Sequence, residues 1–113
     1  MDGAEKAFRA AIEADPGCAN AHYSVGVLLL NKQEDVDGAE QAYRMAIEAD
    51  PGHANAHGNL GVLLLNERED VDGAEKAYRA AIEADPGYAK AHCNLGYLLH
   101  NERQDVDGAE KAY

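Results

Sequence analysis

Tryptophan is absent from this chain, phenylalanine occurs once, and cysteine occurs twice. So few large side chains suit closely packed helices of modest bulk rather than a core built round aromatic rings. The two cysteines, Cys18 and Cys93, stand far apart and in unlike local sequence. That excludes a disulfide framework and points to a reducing compartment, so a cytoplasmic location is expected. Basic residues are scarce as well: ten against 21 acidic ones, for a formal charge of −11. A surface for nucleic acid or an anionic membrane needs a basic patch, so neither partner is expected. Long apolar runs are missing too. The longest, Val27 to Leu30 and its copy at 62–65, falls far short of the roughly 20 residues of a membrane span. No basic start followed by an apolar stretch marks a signal peptide.

What is present is repetition. The segment 72–87, Asp-Gly-Ala-Glu-Lys-Ala-Tyr-Arg-Ala-Ala-Ile-Glu-Ala-Asp-Pro-Gly, has near-copies at 2–17 and 37–52 and begins again at Asp107. Each copy is offset from the last by 35 residues, and the intervening segments match too. A period of this size denotes stacked helical units, each packing on its neighbours. Asp2, Asp37, Asp72 and Asp107 are each followed three residues later by glutamate, which reads as a helix cap with a capping box. In the second copy Ala39, Ala42, Tyr43, Ala46 and Ile47 form the stripe of a helix buried on one face. Pro16, Pro51 and Pro86 close these charged helices.

The alternate segments, 18–31, 53–66 and 88–101, are also helical in composition. The first two contain no Asp, Glu, Lys or Arg, and the third contains only Lys90. A helix neutral all round is buried on more than one side. These helices are therefore expected to pack between neighbours and line an inner surface, with the charged helices outside and the loops at 32–35, 67–70 and 102–105. Gly26, Gly61 and Gly96 fall mid-helix, where glycine costs about 1 kcal/mol relative to alanine. Close approach of paired helices is the expected compensation, since no strand-to-helix phosphate loop is present.

Two helices per unit, Leu60-Gly61 and Leu64 in the first, Ala74, Tyr78, Ala81 and Asp85-Pro86 in the second, together resemble the tetratricopeptide repeat. The likeness covers essentially the whole chain: residues 1–17 as a lone second helix, 18–52 and 53–87 as full repeats, and 88–113 as a truncated repeat. It implies an all-α fold of helical hairpins stacked in a right-handed superhelix. It departs from the family in a 35-residue unit and in His22, His57 and His92, which stand where a large residue is common. Sel1-like repeats are a related alternative, with a longer loop and no Asp-Pro ending.

Units two and three differ at His53/Tyr88, Asn55/Lys90, Gly58/Cys93, Val62/Tyr97, Leu65/His100 and Glu69/Gln104. From Asn55 onward these form one helical stripe. The resemblance implies that this stripe faces a peptide-holding groove. The candidate groove residues are Asn20, Tyr23, Ser24, Val27 and Asn31, then Asn55, Asn59, Val62 and Asn66, then Lys90, Asn94, Tyr97, His100 and Asn101. Asparagine both donates and accepts, so it can hold a peptide backbone without choosing a side chain. A basic clamp for a carboxylate is not evident.

Other constellations fail. Asp35-Val-Asp37-Gly38 resembles part of a calcium loop, but the ligand positions on either side carry Gln33 and Arg44, so helix capping is the better reading. His53 and His57 lie four apart but lack a third ligand, so an inter-helix filler making one hydrogen bond is expected rather than a metal site. Cys93 beside His92 points elsewhere on a helix. No enzyme, cofactor or metal is expected. The expected function is a protein-interaction scaffold; the alternative is a spacer or an array that self-associates head to tail. Neither end carries the polar helix that caps most arrays, which suggests an excised fragment or a designed array.

Overall fold

The computed structural model describes residues 3–112, with side chains placed for 3–32 and 34–101. Among these residues the chain forms six helices and no strand: α1 (Gly3–Ala14), α2 (Ala19–Gln33), α3 (Val36–Ala49), α4 (Ala54–Arg68), α5 (Val71–Ala84) and α6 (Ala89–Ala112). The hairpins α2–α3 and α4–α5 make the most extensive contacts, and α1 packs on α2 as α5 packs on α6. The result is an elongated solenoid of 58 × 28 × 18 Å.

The two helix types bury different amounts of themselves. In α3 the buried residues are Ala39, Ala42, Tyr43 and Ala46, all on one face. By contrast α4 buries Ala56, Gly58, Leu60, Gly61, Leu63 and Leu64, which encircle much of the helix. A helix packed on several sides has no place for charge, and this explains the neutral segments.

Helix boundaries depart from the sequence expectation in two ways. First, the caps are Asp35 and Asp70 rather than Asp37 and Asp72. Each accepts a hydrogen bond at 2.9 Å from the amide of Gly38 or Gly73. An added Cβ on either glycine would stand 2.3 Å from the capping carboxylate, so these glycines leave room for the cap. Asp37 is instead held by Arg68, and Glu40 by Arg44 and Arg68; an arginine competes for the carboxylates a capping box would use. Asp2 lies outside the described residues. Replacing Asp70 with alanine is expected to cost about 1 kcal/mol, read as a lower urea midpoint, with Asp72→Ala costing less.

Second, the expected loops shrink to two residues, because α2 and α4 continue to Gln33 and Arg68. Each then turns on a glutamate in left-handed geometry, Glu34 at φ 51° and Glu69 at φ 52°. The third break, expected at 102–105, is absent: α6 continues through to Ala112, so Asp107 is interior rather than a cap. A left-handed non-glycine residue costs about 1–2 kcal/mol. In the earlier units the fold-back of a 14-residue helix offsets this.

The Asp-Pro-Gly turns are uniform. Asp15, Asp50 and Asp85 accept from the amides of Gly17, Gly52 and Gly87. His22, His57 and His92 each donate through Nε2 to the carbonyl of Pro16, Pro51 or Pro86 at 2.8 Å. The repeated histidine thus makes one hydrogen bond, tying each first helix to the turn before it.

Candidate functional site

A cleft of about 330 Å³ opens between α4 and α6, with α5 as its floor. It is lined by Val62, Leu65 and Asn66 from α4, Val71 and Tyr78 from α5, and Asn94, Tyr97, Leu98 and Asn101 from α6. Among the described residues no charged side chain lines it. Five of the residues named from sequence therefore meet here: Val62, Asn66, Asn94, Tyr97 and Asn101. Tyr97 is 69% exposed, so its ring stands open to solvent beside the cleft. Its neighbours Leu65, Leu98, Val71 and Tyr78 were not among the sequence candidates. Two of them come from the second helix, which a comparison confined to the first helices does not reach.

The candidates of α2 sit differently. Asn20 accepts at 2.7 Å from Nε2 of His53, whose Nδ1 in turn accepts from the amide of Ala56 and caps α4. The neutral ring with its proton on Nε2 is the tautomer both bonds require. Tyr23 packs against Tyr43 and His53, with ring centroids 6.0 and 5.1 Å apart. Asn59 donates to the hydroxyls of Tyr23 and Tyr43 at 3.4 and 3.5 Å, so this amide is spent between helices. Ser24 and Val27 are half-buried on α2, and Val27 packs against the core. Asn31, Asn55, Lys90 and His100 are exposed and lie outside the cleft lining.

Burial sets the phenol electrostatics. It pushes Tyr43 above its ordinary pKa, an effect opposed by the Asn59 bond and reinforced by Tyr23. It raises Tyr78 as well, and Tyr88, where the neighbouring Tyr23 and Asp85 add to it. The phenol on the cleft floor is therefore neutral well into the alkaline range.

Packing accounts for the exchange at 53/88 together with that at 23/58. Tyr23 lies against His53, whereas at the next junction its counterpart is Gly58, and Tyr88 takes the space. A Cβ on Gly58 would stand 3.2 Å from the Tyr88 ring. Bulk has moved from one helix to its neighbour, so positions 23/58 and 53/88 vary together for volume. His53 engages both ring nitrogens within the fold, while His57 donates through Nε2 to the Pro51 carbonyl; among the described residues no group of three ligating side chains gathers round them.

The tetratricopeptide repeat family profile matches residues 2–54, 32–89 and 60–113. No curated protein sequence matches the chain. Among solved structures, the chain is similar to the first tetratricopeptide domain of Spaghetti (RPAP3) bound to the HSP90 peptide SRMEEVD. The TM-score is 0.76 at 15% identity, covering 88% of this chain and 77% of that one. It is also similar to a mutant O-GlcNAc transferase of Thermobaculum terrenum, with a TM-score of 0.73 at 30% identity over 85% of this chain. That match spans only 18% of the transferase. A crystal structure of MamA gives a TM-score of 0.76 at 21% identity, covering 94% of this chain and 61% of that chain. The repeats matched end to end, and the all-α solenoid they build, place the chain in the tetratricopeptide repeat family, whose fold generally serves as a protein-interaction scaffold.

Proposed function

We propose that the chain binds an extended peptide segment in the cleft between α4 and α6. The observation carrying this reading is the lining: three amides, Asn66, Asn94 and Asn101, alternate with Val62, Leu65 and Leu98 beside the exposed ring of Tyr97. Amides can satisfy a peptide backbone, while the apolar walls and the ring accept a side chain. At about 330 Å³ the cleft is at the small end of ligand sites, which suits one or two side chains of a longer segment. The uncharged lining among the described residues favours a mixed apolar and polar sequence. That a fold-level relative was solved with a peptide bound supports the same kind of partner.

A peptide array probed with this chain and with Asn66→Ala/Asn94→Ala/Tyr97→Ala tests the reading, with circular dichroism to show that the variant is folded. Loss of the strongest spots in the variant is expected. Unchanged binding would move the site to another face, such as the 530 Å³ outer cleft lined by Met45, Arg44 and Glu48. Asn59 is left intact because its amide joins helices.

A further inference from the structure

The segments 37–52 and 72–87 carry most of α3 and α5, and they differ at only two positions. Gln41 stands where the later copy has Lys76, and Met45 where it has Ala80. The segment 2–17 likewise has lysine and alanine at these places, Lys6 and Ala10. Folding requires neither exchange. Lysine, glutamine, alanine and methionine are all good helix formers, and Gln41 and Met45 are both exposed. Yet both side chains line one outer cleft of about 530 Å³. The helix that carries them, α3, packs against α2 and α4. This cleft therefore belongs to an inner unit of the array, with described helices before and after it.

The two exchanges alter the cleft in one direction. Lys76 follows Asp72 by four residues, the spacing at which opposite charges pair on a helix. Gln41 brings no such charge to Asp37, which is held by Arg68 instead. Arg68 also reaches Glu40 at 3.2 Å, and Arg44 meets Glu40 at 3.0 Å. Both cations of the cleft are thus engaged with Asp37 and Glu40. Glu48 also lines the cleft; it is exposed and has no ion-pair or hydrogen-bond partner among the described residues. Three residues before it, and so on the same face, Met45 is 43% exposed. An unbranched thioether adapts its shape to whatever lies on it. The cleft therefore offers an adaptable apolar spot with an uncompensated carboxylate one turn away.

We infer that this outer cleft docks a helix of a partner protein, which presents an apolar side chain to Met45 and an arginine, one turn along, to Glu48. A helix fits because residues three or four apart on it have Cβ atoms about 5–6 Å apart, the same spacing that separates Met45 from Glu48. Arginine suits the carboxylate because its planar fork donates two parallel bonds. Charge complementarity selects this occupant. A net charge of −11 attracts a basic segment and repels an acidic one or a second copy of the chain. The surface shares no residue with the cleft between α4 and α6, so it stands apart from the peptide reading.

The probe is an alanine-based helical peptide carrying leucine and arginine four residues apart, titrated into the isotope-labelled chain and followed by NMR. Saturable shifts of the Met45 methyl and of the α3 amides are expected, and added salt should weaken the binding. Gln41→Lys/Met45→Ala gives α3 the sequence of α5, which folds in the same array. That variant should keep its circular dichroism and lose the amide shifts. Glu48→Gln should weaken binding about threefold, the scale of one exposed charge pair. Asn66→Ala/Asn94→Ala/Tyr97→Ala should bind the probe as the wild type does. The proposal is overturned by an absence of saturable shifts, or by equal binding of a peptide with glutamate in place of its arginine. Undiminished binding by the Gln41→Lys/Met45→Ala chain would also refute it. Loss of binding in the triple variant would place the probe in the other cleft instead. Met45 shifts that grow with protein concentration in the absence of peptide would assign the face to a second copy, against the proposal.

Discussion

Tyr78→Ala is expected to cost about 3–5 kcal/mol, the range for removing a buried aromatic. The ring is 2% exposed and joins the α4–α5 hairpin to the cleft floor. Array stability is a sum of unit and interface terms, and a loss this large falls on one unit and its two interfaces. Urea unfolding followed by circular dichroism should shift strongly to lower midpoint. Hydrogen exchange should show α5 and α6 losing protection ahead of α2 and α3. Tyr78→Phe retains the ring and should lose far less. A drop below about 1 kcal/mol for the alanine variant would mean that the ring does not hold the hairpin together.

Glycine-to-alanine substitution should change sign between two equivalent positions. At Gly61 the added methyl would stand 2.6 and 2.8 Å from two carbons of Tyr78, and a ring this buried has little room to tilt. Overpacking of about 1–3 kcal/mol then outweighs the roughly 1 kcal/mol gained in helix propensity. At Gly96 the space is open among the described residues, so alanine should stabilise by about 1 kcal/mol. Thermal or urea midpoints of both variants, measured in dilute solution, provide the check. In the Tyr78→Ala background the clash disappears, and Gly61→Ala should turn neutral or stabilising. Additive effects in that double variant would show that the glycine is not there for the ring.

The expected close approach at the mid-helix glycines therefore has a named partner at Gly26 and Gly61, and the charge-free helices are those packed on several sides. Both were legible because repetition displays the same constraint more than once. The groove was legible only in part. Val62, Asn66, Asn94, Tyr97 and Asn101 lie together, but a list drawn from one helix type could not include Val71 or Tyr78. It also grouped Asn59 with Asn94, although Tyr23 is present beside one and glycine stands at the equivalent place beside the other. That distinction depends on which residue of the preceding unit lies opposite, and a 36-residue separation is invisible to helical periodicity.

The cap positions show the same division. Two aspartates, Asp35 and Asp37, each precede a suitable first turn, and propensity alone does not choose between them. The structure places the cap at the first of them: Asp35 caps α3 while Arg68 from the following helix holds Asp37 and Glu40, and Asp70 caps α5 in the same geometry. By itself the sequence determined the helical class, the 35-residue unit and which helices are buried on several sides, because these follow from local periodicity and the cost of burying charge. Only the tertiary structure decided where the turns fall, that α6 continues unbroken, and which side chains meet across neighbouring units. Those outcomes rest on packing energies between segments, which offset a left-handed turn where a full helix folds back.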